Sequence, residues 1–163
     1  MKTTFIFLLL TTIAYTQNYN NELYGWDKAT WGMTRDQIMR LYDTYDLRNG
    51  DTLKIDRYNL LNLQFNISFI FLDDTLTSVR LQCKDNGLGI SQFNKFEEGL
   101  VTKYGKYVYK NEEGENDKLA PHIIKSKWIL SKTNIELAYV GISILNTYSI
   151  ILQYSAPTII KGL

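Results

Sequence analysis

With 163 residues and a formal net charge of +1, the chain is long enough for one domain with a real core and exerts no electrostatic pull toward nucleic acid or anionic lipid. A single cysteine, Cys83, excludes an internal disulfide, so packing must supply the stability. With one histidine, any metal site would have to be built mostly from carboxylates.

The chain opens with Lys2, runs apolar from Phe5 to Ala14 and reaches the small-x-small step Ala14-Tyr15-Thr16, the layout of a secretory signal peptide over 1–16. The run is shorter than the roughly 20 apolar residues that span a bilayer, and no cysteine follows it to carry a lipid. The sequence therefore predicts an exported protein, periplasmic or extracellular, with neither a membrane span nor a lipid anchor. Residues 17–163 are expected to form a single domain. Lys2 is the leader's only charge, so the rest of the chain balances to zero. Abundant Tyr, Ile, Asn and Lys fit an AT-rich, bacterial genome.

Trp26 and Trp31 precede the first helix and read as residues closing the edge of a core, with surface aromatics for recognition as the alternative. Thr34 and Gln37 form a T-x-x-Q capping box, and Ile38, Leu41, Tyr42 and Tyr45 follow as one apolar helical stripe. Asn49-Gly50-Asp51 is expected to stop that helix. A strand is predicted over 52–58. The clearest β signal comes next: Leu63, Phe65, Ile67, Phe69 and Phe71 alternate with polar residues, as do Val79, Leu81 and Cys83 beyond Asp73-Asp74.

Parity constrains the turn between these strands. A simple two-residue turn at Asp73-Asp74 would set Phe69 beside Ser78. The three-residue turn Asp73-Asp74-Thr75 is therefore expected, since it pairs Phe69 with Val79 and keeps both apolar sets on one face; a five-residue loop has the same parity and stays open.

Asp85 to Gly89 reads as a loop and Ser91 as the N-cap of a second helix, with Phe93, Phe96, Leu100, Val101 and Tyr104 on its buried side and Gly105 at its end. A short strand is expected at 107–109, then a polar loop to Pro121. Three strands finish the chain. Ile124, Trp128 and Leu130 point inward from the first, and Ile135, Leu137 and Tyr139 from the second. A turn at Ser131–Asn134 sets Leu130 opposite Ile135. The last strand, over 147–153 or 147–154, buries Tyr148, Ile150, Leu152 and Tyr154.

The order helix, three strands, helix, three strands predicts an α+β fold of two degenerate αβββ units, with halves near 30–84 and 90–154. Both helices should pack on one face of an antiparallel sheet. Trp31-Gly32-Met33-Thr34-x-x-Gln37-Ile38-x-x-Leu41, followed by a hairpin ending Phe71-x-Asp73-Asp74-x-Leu76-x-x-Val79, resembles the helix-then-hairpin signature of SmpA/OmlA-type outer-membrane assembly lipoproteins. The doubled pattern is similar to the β-lactamase inhibitory protein fold. The chain departs from the lipoproteins in lacking their lipobox cysteine and the Gly-x-Pro after the helix, and from the inhibitor in lacking its disulfides. The resemblance implies a fold and a habit of binding proteins, with no residue-level site.

No catalytic constellation stands out, and no cofactor is called for. Cys83 and His122 could form a thiolate–imidazole pair in a secreted enzyme. The alternation instead places Cys83 on the apolar face, and His122 follows Pro121 in a loop. Glu112, Glu113, Glu115 and Asp117 lack the spacing of a calcium loop and read as solvated. The leading expectation is a non-enzymatic exported domain that binds a protein or envelope component through the sheet face opposite the helices. On that face Ile70, Ile129 and Ile151 either cluster around Arg80 as an apolar centre with a polar rim, or stand scattered and singly exposed or beneath the 110–121 loop. A structural envelope protein without a discrete ligand is the remaining alternative.

Overall fold

A computed structural model describes residues 23–42, 45–46, 52–84, 89–115 and 120–157. The leader over 1–16, the helix stop at Asn49-Gly50-Asp51, loop residues 85–88 and Asp117 lie outside the described residues. The N-terminal hairpin pairs β1 (Gly25–Trp26) with β2 (Ala29–Thr30). A β-carbon at Gly25 would stand 1.8 Å from the Ala29 carbonyl oxygen, so only glycine lets these strands meet.

Helix α1 (Arg35–Leu41) starts on its capping box. Thr34 N–H donates to Gln37 Oε1 at 2.8 Å and Gln37 N–H to Thr34 Oγ1 at 3.4 Å. The helix is shorter than its apolar spacing suggests. Tyr42 is already extended at the C-cap, Tyr45 opens the two-residue strand β3 (Tyr45–Asp46), and Leu41 is 39% exposed instead of buried. Tertiary contact overrides the periodicity here: the Tyr42 ring packs 5.0 Å from Phe69 and 6.2 Å from Trp26.

Strands β4 (Thr52–Leu60), β5 (Leu63–Leu72) and β6 (Thr75–Lys84) form a meander. Helix α2 (Ile90–Tyr104) follows, then β7 (Tyr109–Glu113), β8 (His122–Ile129), β9 (Asn134–Ile142) and β10 (Thr147–Ser155). The main sheet runs β3-β4-β5-β6-β10-β9-β8-β7, antiparallel throughout, so the architecture is mixed α+β. Each helix is followed by a meander whose last strand, β6 or β10, lies at the centre and pairs with the other.

The inward set is continuous. Phe65, Ile67, Phe69, Val79, Leu81, Cys83, Ile124, Trp128, Ile135, Leu137, Ile150 and Leu152 are buried together with Ile38 of α1 and Phe93, Phe96 and Leu100 of α2. Both helices therefore cover one face. Val101 and Tyr104 are only half-buried.

Phe69 does pair with Val79, but the turn is not the expected three residues. Leu72 pairs with Thr75 across the two-residue turn Asp73-Asp74, both at left-handed φ (49° and 57°). Phe71 then pairs with Leu76 and Ile70 with Ser78, so Thr77 is an extra residue that restores the parity. The Thr77 hydroxyl donates to the Ile70 carbonyl at 3.2 Å and helps hold this bulge.

Four further expectations need correction. The N-cap of α2 is Gly89, whose N–H donates to Gln92 Oε1 at 3.0 Å, and Ser91 lies inside the helix. The strand expected at 107–109 starts at Tyr109 and carries the acidic residues Glu112 and Glu113, so that part of the acidic run is strand rather than loop. The β8–β9 turn spans 130–133, which sets Trp128 opposite Ile135; the register differs by two residues and the faces are unchanged. His122 begins β8 instead of lying in a loop.

Candidate functional site

The cross-strand register orders the open face into rows. One runs Ser68, Arg80, Gln153, Glu136, Lys127, Tyr109 from β5 to β7. The next runs Ile70, Ser78, Ser155, Asn134, Ile129. Ile70 and Ile129 thus share a row but stand four strand spacings apart, about 19 Å at about 4.8 Å per strand. Ile151 sits four residues further along β10 from Ser155, about 13 Å away along the strand. All three belong to the open face, as parity required. They do not form the expected cluster, because β5, β10 and β8 are each separated by an intervening strand and Ile151 lies in a different row. Arg80 is engaged with Gln153, donating to its Oε1 through Nε at 3.0 Å and Nη2 at 2.9 Å.

Ile129 has other apolar company. The sheet forms a shallow depression of about 680 Å³ over β7–β9, lined by Val108, Tyr109, Lys125, Lys127, Ile129 and Glu136. Val108, Tyr109 and Ile129 are 62%, 52% and 60% exposed, an unusual concentration of open apolar surface. Lys127 stands directly opposite both Tyr109 and Glu136, so the apolar group is bordered by ammonium and carboxylate groups. Along the paired rows the described charges are Lys54, Arg80, Lys125 and Lys127 against Glu113 and Glu136, a cationic excess.

Lys125 shares the alternation of Lys127 and Ile129 and could have been read from the sequence. The strand expected at 107–109 includes Val108 and Tyr109, but the polar run Tyr109–Glu113 carries no alternating signal to assign them to the open face.

The two residues that could have formed a nucleophilic pair are kept apart. Cys83 is buried on β6, opposite Ile150. His122 lies on β8, and β10 and β9 intervene, a separation of at least about 14 Å. The imidazole is already occupied: its Nε2 lies 2.8 Å from Glu112 Oε1, and its ring packs edge-on to Tyr139 at 5.7 Å. Burial, then Tyr148, pushes the Tyr139 phenol up. Among the described residues no three His, Cys, Asp or Glu side chains are grouped to hold a metal ion. Among them, too, no helix is long and apolar enough to cross a membrane.

Comparison with protein-family models, with curated proteins and with solved structures finds no match to this chain. The functional reading therefore rests on its own residues.

Proposed function

We propose that this chain is an exported, non-enzymatic domain that binds a protein or another component of the cell envelope through its open sheet face, at the depression over β7–β9. The observation that carries this reading is the gathering of Val108, Tyr109 and Ile129, each more than half exposed, inside a border of Lys125, Lys127 and Glu136. Apolar residues scattered singly over a surface need no explanation. Grouped in a concavity with a charged rim, they have the anatomy of a recognition patch. The cationic excess favours a partner that presents acidic groups around an apolar projection.

Export rests on the leader at 1–16. The helix-then-meander order, met twice with β6 and β10 at the sheet centre, supports an internal duplication of two αβββ-like units. That duplication is in keeping with the resemblance to the outer-membrane assembly lipoproteins and the inhibitory protein fold, and with their habit of binding proteins.

Immobilised protein should retain a component of envelope extract, and Ile129→Asp should abolish retention while thermal unfolding stays unchanged. Equal retention by the folded Ile129→Asp variant would contradict the reading.

A further inference from the structure

On the helix side of the sheet, away from the open face, a cleft of about 250 Å³ lies between the β1–β2 hairpin, the end of α2 and strands β4 and β10. Its walls are chiefly aromatic: Trp26, Tyr58, Tyr104 and Tyr154, with Leu60 beside them and Lys103 as its cation. Trp26 and Tyr58 stand edge to face with centroids 5.6 Å apart. The Lys103 ammonium lies 5.1 Å from the Tyr104 ring centroid on an exposed residue, so the charge sits on the solvent side of the cleft.

The decisive group is Tyr154. It is 93% buried (7% exposed), lines this cleft, and its hydroxyl has no hydrogen-bond partner among the described residues. Buried phenols nearly always have a partner, because stripping a hydroxyl of water without replacing its hydrogen bond costs free energy. With no partner among the described residues, this hydroxyl bonds only to what the cleft admits, water or a ligand, and apolar packing does not account for a tyrosine where phenylalanine would fill the same space. Asp27 also lines the cleft, but its Oδ2 accepts from the Tyr42 hydroxyl at 3.1 Å.

We propose that this cleft binds a small hydroxylated aromatic carboxylate, a single ring with a hydroxyl at one end and a carboxylate at the other. A closed cavity of about 150 Å³ already holds a benzene ring, so 250 Å³ takes one ring with its substituents and not a polycyclic ligand. The ring lies against Trp26 and Tyr58, its hydroxyl meets the Tyr154 hydroxyl, and its carboxylate stays at the mouth beside Lys103. This placement keeps the charge hydrated and paired, and puts only neutral groups in the interior. At the same mouth a cationic aromatic would meet the Lys103 ammonium as well as the Asp27 carboxylate, so benzylamine is the control for the sign of the ligand's charge. The site is independent of the open-face reading, and neither depends on the other.

The test is calorimetric titration of the full-length protein with para-hydroxybenzoate, benzoate, para-cresol, benzylamine and a methyl pyranoside. Saturable one-to-one binding is expected for para-hydroxybenzoate, with benzoate and para-cresol weaker. Tyr154→Phe keeps the ring and should weaken para-hydroxybenzoate about tenfold while leaving benzoate unchanged. Lys103→Gln should weaken both carboxylates several-fold and leave para-cresol unchanged. No saturable heat with para-hydroxybenzoate, binding indifferent to both substitutions, or preference for benzylamine or the pyranoside would overturn the proposal.

Discussion

The Ser126 hydroxyl of β8 donates a hydrogen bond to the Glu97 carboxylate of α2 on the covered side of the sheet. The other carboxylate oxygen of Glu97 pairs with Lys110 Nζ of β7 at 2.8 Å. One acidic side chain thus fastens the second helix to two strands, beneath the region whose outer surface carries Tyr109 and Ile129. Ser126 is fully buried at a position where the alternation calls for an apolar residue. The pair gives a reason for the exception.

Ser126→Ala should cost about 1.5–3 kcal/mol, the range for a hydrogen bond to a charged group, because Glu97 keeps Lys110 but loses its buried donor. Urea unfolding measures it. A change within about 0.5 kcal/mol, as for surface substitutions, would show that Glu97 does not depend on this contact.

Trp128 joins the core to the end of α2, being 1% exposed with its Nε1 donating to the Gly105 carbonyl at 2.8 Å. Trp128→Ala and Phe69→Ala should each cost about 3–5 kcal/mol by leaving large cavities. Trp128→Phe should cost less, since it keeps most of the packing. A loss below about 1 kcal/mol for either alanine variant would mean that the assigned inward face is wrong.

Asp73 holds a left-handed conformation in the two-residue turn that connects β5 to β6. Aspartate tolerates that region and a β-branched residue does not. Asp73→Val should therefore lower stability by about 1–2 kcal/mol, and Asp73→Asn should be near neutral. Equal stability of the valine variant would argue for a different turn.

Much of this architecture was legible because strand faces follow a period of two. Parity gives the pairing of Phe69 with Val79 although the turn has two residues rather than three: the bulge at Thr77 supplies the residue that the turn does not. Parity is preserved by packing, while the device that preserves it leaves no local mark. Helix α1 shows the opposite failure, since Tyr42 and Tyr45 fit a helical stripe but the chain turns extended at Tyr42. Which open-face residues meet was not readable at all. Ile70, Ile129 and Ile151 share a face by alternation, but their separation depends on strand order, which β6 and β10 set by meeting at the centre. The proposed sites at Tyr109 and Tyr154 arise from such long-range placement.

Tyr42 sets a pH dependence. Burial first, and Asp27 beside it, raise its phenol from 10.0 to about 12, against opposing backbone hydrogen bonds from Lys28 and Ala29. Burial likewise raises Tyr154 strongly. A raised phenol favours the neutral form in the folded state, so its contribution is complete below the unfolded value of 10.0 and is lost as pH rises through about 12. Unfolding free energy should therefore fall between pH 10 and 12, and more shallowly in Tyr42→Phe. Identical slopes in the two proteins would remove Tyr42 as the cause.

The docking role of the open face is tested most directly by site-specific photocrosslinking in envelope extract. A photoreactive side chain would be placed singly at Ile129, at Tyr109, or at Met39, an exposed position on α1 beyond the open face. One discrete adduct is expected, the same from Ile129 and Tyr109, competed away by excess unmodified protein and missing from Met39. Adducts of equal yield from all three positions, or from Met39 alone, would contradict this docking role.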